Sequence, residues 1–191
     1  MVIFLTAGFP DKQATMELVP ALVRAGADIV ELGVPFSDPL GEGPVIQESS
    51  FKALQQEVSL KDCLDMVETL REQVGETPLV LMGYYNPFVA FGSRHLMTAC
   101  VESGIDGFII VDLPPEEGEE FFGLCDEFGL SFVPLLTPET TPARITLLTA
   151  HASSFVYCVS QAGVTGARQA VPPGLEAYLD RTFPPPEARS A

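Results

Sequence analysis

The sequence predicts an α/β protein built on a parallel sheet. Short apolar runs alternate along the chain with amphipathic segments. The runs are continuously apolar, which is typical of strands that are buried on both faces of a sheet. Strands that alternate with helices in this way form right-handed crossover units, in either a doubly wound sheet or a (β/α)8 barrel.

Six apolar runs are predicted strands. They are VIFLTA (2–7), DIVELGV (28–34), LVLMGYY (79–85), GFIIVDL (107–113), LSFVPLL (130–136) and SSFVYCVS (153–160). The amphipathic segments between them are predicted helices at 12–27, 44–56, 58–75, 93–104 and 115–129. Several of these segments end at glycine, a common residue at the C-terminal end of helices. The longest interval follows the second strand, and such folds carry their active sites in the loops that follow strands.

The composition bounds the class of protein. With 191 residues, of which 47% are hydrophobic, the chain is long enough for one domain with one core. The net charge of −16 argues against nucleic acid and anionic membranes as partners, because both require a basic surface. No apolar run reaches the roughly 18 residues of a membrane helix, and we expect a soluble, cytoplasmic protein. Cys63, Cys100, Cys125 and Cys158 are scattered, so we expect reduced, mostly buried thiols, with neither a metal site nor a disulfide.

Three carboxylates lie close together in VELGVPFSDPLGEGPVIQ (30–47). Glu31 falls inside the second apolar run, where burial would raise its pKa and suit it to act as a general acid or base. The other interpretation is that Glu31 pairs with a neighbouring cation or a backbone donor. Asp38 precedes a proline, as turn-forming aspartates do. Glu42 lies between two glycines and, on composition alone, is a solvated loop charge.

Five segments, taken in order, resemble the alpha chain of tryptophan synthase. They are FLTAGFPD, ADIVELGVPFSDPLGEGPVIQESS, GYYNPF, GFIIVDLPPEE and VSQAGVTGAR. The resemblance implies a (β/α)8 barrel of the TIM type. It also implies retro-aldol cleavage of indole-3-glycerol phosphate to indole and glyceraldehyde 3-phosphate, with no cofactor on this chain. In that family the indole passes through a tunnel to a pyridoxal-phosphate-dependent beta chain, so the expected partner is a beta chain in an α2β2 complex.

The resemblance assigns roles to the three loop carboxylates. It makes Glu31 the catalytic acid and base. Glu42 matches an aspartate, in the family segment PLADGP, that interacts with the indole nitrogen, so Glu42 is the expected second catalytic carboxylate. Its extra methylene displaces the carboxylate by roughly 1 to 1.5 Å, and a displacement of about 1 Å can cost about 100-fold in rate. Asp38, Pro39 and Asn86 match positions at or near the contact with the beta chain.

A further set of residues matches positions that line the substrate pocket. The set consists of Phe4, Met82, Tyr84, Ile109, Tyr157, Thr165 and Gly166. On the residues alone, its apolar members are better explained as barrel core. Thr165 and Gly166 belong to a loop that closes over the site in the family, and glycine suits such a hinge. Asp112, at the end of the fourth predicted strand, either arranges the neighbouring loops or caps the helix that follows it.

The C-terminal part departs from the family pattern. A TIM barrel has eight strands, whereas six are predicted here. Residues 1–168 are expected to form the barrel portion, and residues 169–191 a short helix at about 174–180 and a Pro-rich tail. In the family, the loops after strands seven and eight hold the substrate phosphate, and no segment of this sequence resembles them.

Two hypotheses about function therefore stand. The first is a lyase that uses Glu31 and Glu42, with a weakened phosphate site or with the missing strands supplied by another chain. The second is a non-catalytic, shortened chain that only docks on a beta chain. Another phosphate-binding barrel enzyme is less consistent with the segment ELGVPFSDP.

Overall fold

The computed structural model of the chain describes residues 1–160 and 172–183. The strands in this part are β1 (Val2–Thr6), β2 (Ile29–Gly33), β3 (Leu79–Gly83), β4 (Gly107–Ile110), β5 (Ser131–Phe132), β6 (Leu135–Leu136) and β7 (Tyr157–Cys158). The helices are α1 (Lys12–Arg24), α2 (Pro44–Gln55), α3 (Leu60–Val74), α4 (Tyr85–Phe91), α5 (Ser93–Ser103), α6 (Glu119–Phe128), α7 (Pro142–Thr149) and α8 (Leu175–Thr182). Each predicted strand and helix corresponds to an observed element, usually with a shorter range.

The strands are parallel and stand in chain order. The first sheet has the order β1, β2, β3, β4, β5, and β6 pairs with β7 in a second sheet. A doubly wound sheet reverses its order at a switch point, whereas a barrel adds each new strand beside the previous one. The observed order is that of a barrel wall, which decides between the two folds that the alternation allowed.

The fifth predicted strand is interrupted. It is observed as the two short strands β5 and β6, separated by Val133 and Pro134. The Val133 N–H donates to the Phe108 carbonyl at 2.9 Å, and the Tyr157 N–H donates to the Pro134 carbonyl at 2.9 Å. Because proline has no N–H to donate, the ladder breaks at Pro134. The first half of the segment therefore pairs with β4, and the second half pairs with β7.

The third predicted strand is shorter than the sequence indicated. The apolar run extends to Tyr85, but β3 ends at Gly83 and α4 begins at Tyr85. Asp112 Oδ1 accepts a hydrogen bond from the Tyr85 N–H at 2.7 Å. Asp112 therefore joins its own loop to the start of α4, which is the arranging role considered for it, and it does not cap α6, the helix that follows it in the chain.

Helix α7 was not among the predicted helices. Its N-terminal signals are present in the sequence, since Thr141 accepts a hydrogen bond from the Arg144 N–H and Pro142 occupies the first turn. The predicted short C-terminal helix is α8, and its Tyr178 is buried in a cluster with Leu136 and Ile145. The predicted boundary at residue 168 lies outside the described residues. Within the described ranges, no helix is long and apolar enough to cross a membrane.

The central strands of the first sheet, β2 to β4, bury both of their faces. Side chains of the outer face, such as Val30, Leu81 and Phe108, belong to the main core together with the inward sides of the helices. Side chains of the inner face form a second apolar cluster. Its members are Val80, Ile109 and Val133, with Ile29, Met82, Leu135, Phe155 and Tyr157 packed against them. The strict alternation of faces is the period of two that a strand imposes, and it explains why the runs are continuously apolar.

Removing a large side chain from the outer face should be costly. Phe108 is fully buried and makes edge contacts with the rings of Phe88 and Phe121. We expect Phe108→Ala to lower the free energy of unfolding by about 3 to 5 kcal/mol, measured by denaturant titration, because it leaves a cavity. The matched control Val101→Ala removes a side chain that is 49% exposed on α5, and should change stability by less than about 0.5 kcal/mol. Similar losses in the two variants would contradict this assignment of the core.

Candidate active site

A pocket opens at the C-terminal ends of β1, β2 and β3. This is the end of the sheet at which (β/α)8 barrels hold their active sites. The pocket is lined by four of the predicted site residues, which are Phe4, Glu42, Met82 and Tyr84. Pro39, predicted as an interface residue, also lines it. The structure therefore brings together residues that are distant in the sequence, from Phe4 in β1 to Tyr84 after β3.

Glu31 lies inside the sheet, below this pocket. In the register of the first sheet it stands between Phe4 of β1 and Val80 of β3. Its side chain is buried, with 3% of the residue exposed, and its Oε1 atom has no hydrogen-bond partner in the described part of the chain. Burial raises the pKa of Glu31 above its ordinary value of 4.5. Such a carboxyl keeps its proton to a higher pH than an exposed glutamate does, which suits it to give a proton to a substrate.

Glu42 is buried as well, which corrects the expectation from composition. Only 7% of the residue is exposed, although it lies between two glycines in a loop. The Gln47 side chain donates a hydrogen bond to the Glu42 carbonyl at 2.8 Å, which fixes the backbone where the loop enters α2. The loop thus carries its carboxylate toward the protein and not toward the solvent.

Two tyrosines, Tyr84 and Tyr157, lie near the two glutamates and have raised pKa values. Burial raises the pKa of the Tyr157 hydroxyl, and the charges of Glu31 and Glu42 raise it further. Glu31 lies beside Phe4 on the sheet, and both Phe4 and Glu42 line the pocket, so the two glutamates belong to the same region of the barrel. Burial also raises the pKa of Tyr84, whose hydroxyl accepts a hydrogen bond from the Gly41 N–H at 2.8 Å. The site therefore combines two buried glutamates with the buried Tyr84 and the half-buried Tyr157.

The remaining predicted pocket residues occupy different places. Ile109 is fully buried in the inner apolar cluster, to which Met82 and Tyr157 also belong. Thr165 and Gly166 lie outside the described residues. The prediction had not included Phe36 and Ser50, which also line the pocket. Both fall inside the segment ELGVPFSDPLGEGPVIQESS, so the signal that could have found them was their place in the longest resembling segment.

The predicted interface residues lie on the rim of the pocket. Asp38 and Asn86 are exposed, and Pro39 is half-buried. Their two segments adjoin, because the Gly41 N–H reaches the Tyr84 hydroxyl. Leu40, which follows Pro39 in the loop, is 85% exposed. In the described ranges, no group of three or more His, Cys, Asp or Glu side chains is arranged to hold a metal ion.

The burial of Glu31 predicts a pH dependence of stability. Because its pKa is raised on folding, the folded chain binds a proton that the unfolded chain has released above about pH 4.5, so Glu31 costs more stability as the pH rises. Glu31→Gln removes this dependence. We therefore expect the variant to gain stability relative to the wild-type protein as the pH rises above about 4.5, measured by urea unfolding at each pH.

A surface carboxylate provides the control for this measurement. Glu48 is exposed, and its hydrogen bond and ion pair with Lys52 lower its pKa. Its contribution to stability therefore grows with pH, and Glu48→Gln should show a small trend of the opposite sign. A wild-type protein that keeps the same stability difference from Glu31→Gln at every pH would show that Glu31 titrates normally.

Comparison with known proteins supports the resemblance along nearly the whole chain. The family model described as tryptophan synthase alpha chain matches residues 1–183. The tryptophan synthase alpha chain of Roseiflexus castenholzii is 47% identical over 178 residues, which are 93% of this chain and 68% of that protein. The chain thus spans about two thirds of the length of the curated relatives it matches.

Solved structures agree with the fold. A chain from the tryptophan synthase α2β2 complex of Pyrococcus furiosus is 39% identical, with a TM-score of 0.88 over 95% of this chain and 73% of that chain. Tryptophan synthase subunit alpha from Legionella pneumophila is 41% identical, with a TM-score of 0.81 over 83% of this chain and 60% of that chain. The predicted barrel of the TIM type, incomplete with six recognisable strand units, is confirmed. The chain belongs to the tryptophan synthase alpha chain family.

Proposed function

We propose that the chain acts as a tryptophan synthase alpha subunit, a lyase that cleaves indole-3-glycerol phosphate to indole and glyceraldehyde 3-phosphate in tryptophan biosynthesis. The single observation that carries this proposal is the buried Glu31 carboxyl, whose Oε1 has no hydrogen-bond partner in the described chain. A buried carboxyl with an oxygen that makes no hydrogen bond costs stability and is typical of a group kept for chemistry. Family membership supplies the reaction.

Glu31 is suited to move both protons of this reaction. In its protonated form it delivers a proton to C3 of the indole ring, which places a positive charge on the ring nitrogen. The bond between C3 and the glycerol carbon then breaks, and its electrons neutralise the ring. The hydroxyl on that carbon loses its proton to the Glu31 carboxylate and becomes the aldehyde. Glu31 ends in the state in which it began, so no net proton is consumed.

Glu42 is suited to stabilise the charge on the ring. A buried carboxylate near the pocket can accept a hydrogen bond from the indole N–H, and this interaction strengthens as the nitrogen becomes positive. A contact that strengthens in the transition state raises kcat. Phe4 and Met82 offer the apolar walls that an indole ring requires, and the raised pKa of Tyr157 keeps that phenol neutral beside the carboxylates.

The partner and the location follow from the same proposal. The rim formed by Asp38, Pro39 and Asn86 is proposed to contact a tryptophan synthase beta chain, with which indole would be exchanged. The exposed Leu40 in the same loop supports a protein contact, because a large apolar side chain gains from being covered. No cofactor is proposed for this chain, and a cytoplasmic location fits a biosynthetic enzyme. No feature of the described site favours the docking-only hypothesis.

Release of indole from indole-3-glycerol phosphate tests the proposal, with and without a beta chain. We expect Glu31→Gln to lower kcat by about 100-fold or more, because the amide cannot exchange the proton. Glu42→Gln should lower kcat by about 10-fold to 100-fold, because it removes the charge that faces the ring nitrogen. Glu48→Gln makes the same chemical change on the exposed side of α2 and should leave kcat unchanged. Turnover that survives in Glu31→Gln would exclude Glu31 as the proton carrier.

Calorimetric titration with a beta chain tests the rim. Asn86→Ala and Asp38→Ala are each expected to weaken binding by about tenfold, the loss of about 1.4 kcal/mol that a contacting residue typically contributes. Asp65→Ala is the control, since Asp65 is exposed on α3 and pairs only with Lys61 in the described structure. Equal affinity in all three variants would place the contact elsewhere.

A further inference from the structure

The loop between β2 and α2 needs an anchor. It carries Glu42, yet it runs outside the sheet, so the ladder of hydrogen bonds that fixes the strands does not hold it. Its first residue, Val34, still donates to the Met82 carbonyl at 2.8 Å, as a continuation of β2. After Val34 the backbone hydrogen bonds of the loop are local turns, such as the Glu42 N–H to the Pro39 carbonyl at 3.0 Å, and side chains supply the bonds that tie the loop to the rest of the protein.

Ser50 supplies two of these hydrogen bonds with one hydroxyl group. Its Oγ accepts from the Phe36 N–H at 2.8 Å and donates to the Phe36 carbonyl at 2.8 Å. Ser50 lies on α2 and is only 4% exposed, so water cannot easily replace the hydroxyl. Without it, both polar backbone groups of Phe36 would lose their partner.

From Phe36 the contacts continue to Glu42. The Phe36 ring stacks on the Tyr84 ring, with centroids 5.3 Å apart and planes at 27°. The Tyr84 hydroxyl accepts from the Gly41 N–H at 2.8 Å, immediately before Glu42. A Cβ atom at Gly41 would lie 3.1 Å from the same hydroxyl, so the approach is as close as a glycine allows. Ser50, Phe36, Tyr84 and Gly41 thus form a chain of contacts, which we call the loop relay.

We propose that Ser50 is a positioning residue, which sets the place of the Glu42 carboxylate in the pocket through the loop relay. This inference rests on the proposed function. Helix α2 then has two roles, because it packs against the sheet and also holds the loop that carries Glu42. A carboxylate that must meet the indole nitrogen within about 1 Å gains more from such an anchor than a loop that only connects two elements.

The neighbouring Ser49 offers a matched control. It is 5% exposed on the same helix, and its hydroxyl lies 2.7 Å from the Thr6 hydroxyl of β1 and donates to the Ile46 carbonyl. Ser49→Ala therefore deletes the same hydroxyl from an equally buried position, but its lost contacts are to the strand and to the helix itself. Any effect of general destabilisation appears in both variants.

Amide hydrogen exchange by NMR measures the loop relay directly. We expect Ser50→Ala to speed exchange at the Phe36 and Gly41 amides by about tenfold, the factor that one lost hydrogen bond implies. Ser49→Ala should leave both amides within about twofold of the wild-type protein. Should Ser50→Ala not fold, Ser50→Cys keeps a group of similar shape that forms only weak hydrogen bonds, and it should speed exchange at the same two amides by a smaller factor. A Gly41 amide that is unchanged in the folded variant would overturn the proposal.

Kinetics give the second readout. We expect Ser50→Ala to lower kcat by about tenfold or more with KM changed by less than about threefold, because the displaced carboxylate acts on the transition state. Ser49→Ala should retain the wild-type kcat. Equal kcat values in the two serine variants would overturn the positioning role. If the wild-type protein releases no indole, the proposed function fails, and the exchange measurement still decides whether Ser50 holds the loop.

Discussion

The burial of the Glu31 carboxyl is the constraint around which the rest of the site is arranged. A carboxylate between two apolar neighbours in the centre of a sheet loses its hydration, and the described chain offers Oε1 no hydrogen bond in return. The least costly state of such a group is the protonated one, which explains the raised pKa of Glu31. A core residue of the same size would avoid this cost, so its presence is best explained by the proton transfer proposed for it.

The parallel arrangement of the strands places the active-site pocket next to Glu31. All strands of the first sheet point in one direction, so their C-terminal ends meet at one rim, where the ends of β1, β2 and β3 and the loop after β2 line the pocket. The loop after β2 is the longest of these connections and brings Glu42 back over the strand that carries Glu31. The two carboxylates then face the inner side of the barrel, where Tyr157 responds electrostatically to both. Glu31 is buried within the sheet, and Glu42 is positioned by the loop between β2 and α2.

The fold was predictable where a strand buries both faces, since continuous apolar runs mark β1 to β4 in the sequence. It was less predictable where a single residue changes the backbone. Pro134 divides the fifth run, and the third run ends early, where Asp112, distant in sequence, accepts a hydrogen bond from the Tyr85 N–H at the start of α4. The identity of Glu31 as a candidate acid also followed from its place in a buried run. The burial of Glu42 did not, because a glutamate between glycines resembles a solvated turn until Tyr84 and α2 are placed beside it.

The ionisation of Glu31 itself is the most direct test of this account. Infrared difference spectra between the wild-type protein and Glu31→Gln, recorded as the pH is varied, isolate the stretch of this one protonated carboxyl group. The account predicts that the band persists above pH 4.5, the ordinary pKa of a glutamate, because burial raises the pKa of Glu31. A band that is lost at or below pH 4.5 would show a carboxylate that is already ionised at neutral pH, and the proposed delivery of a proton to indole C3 would be contradicted.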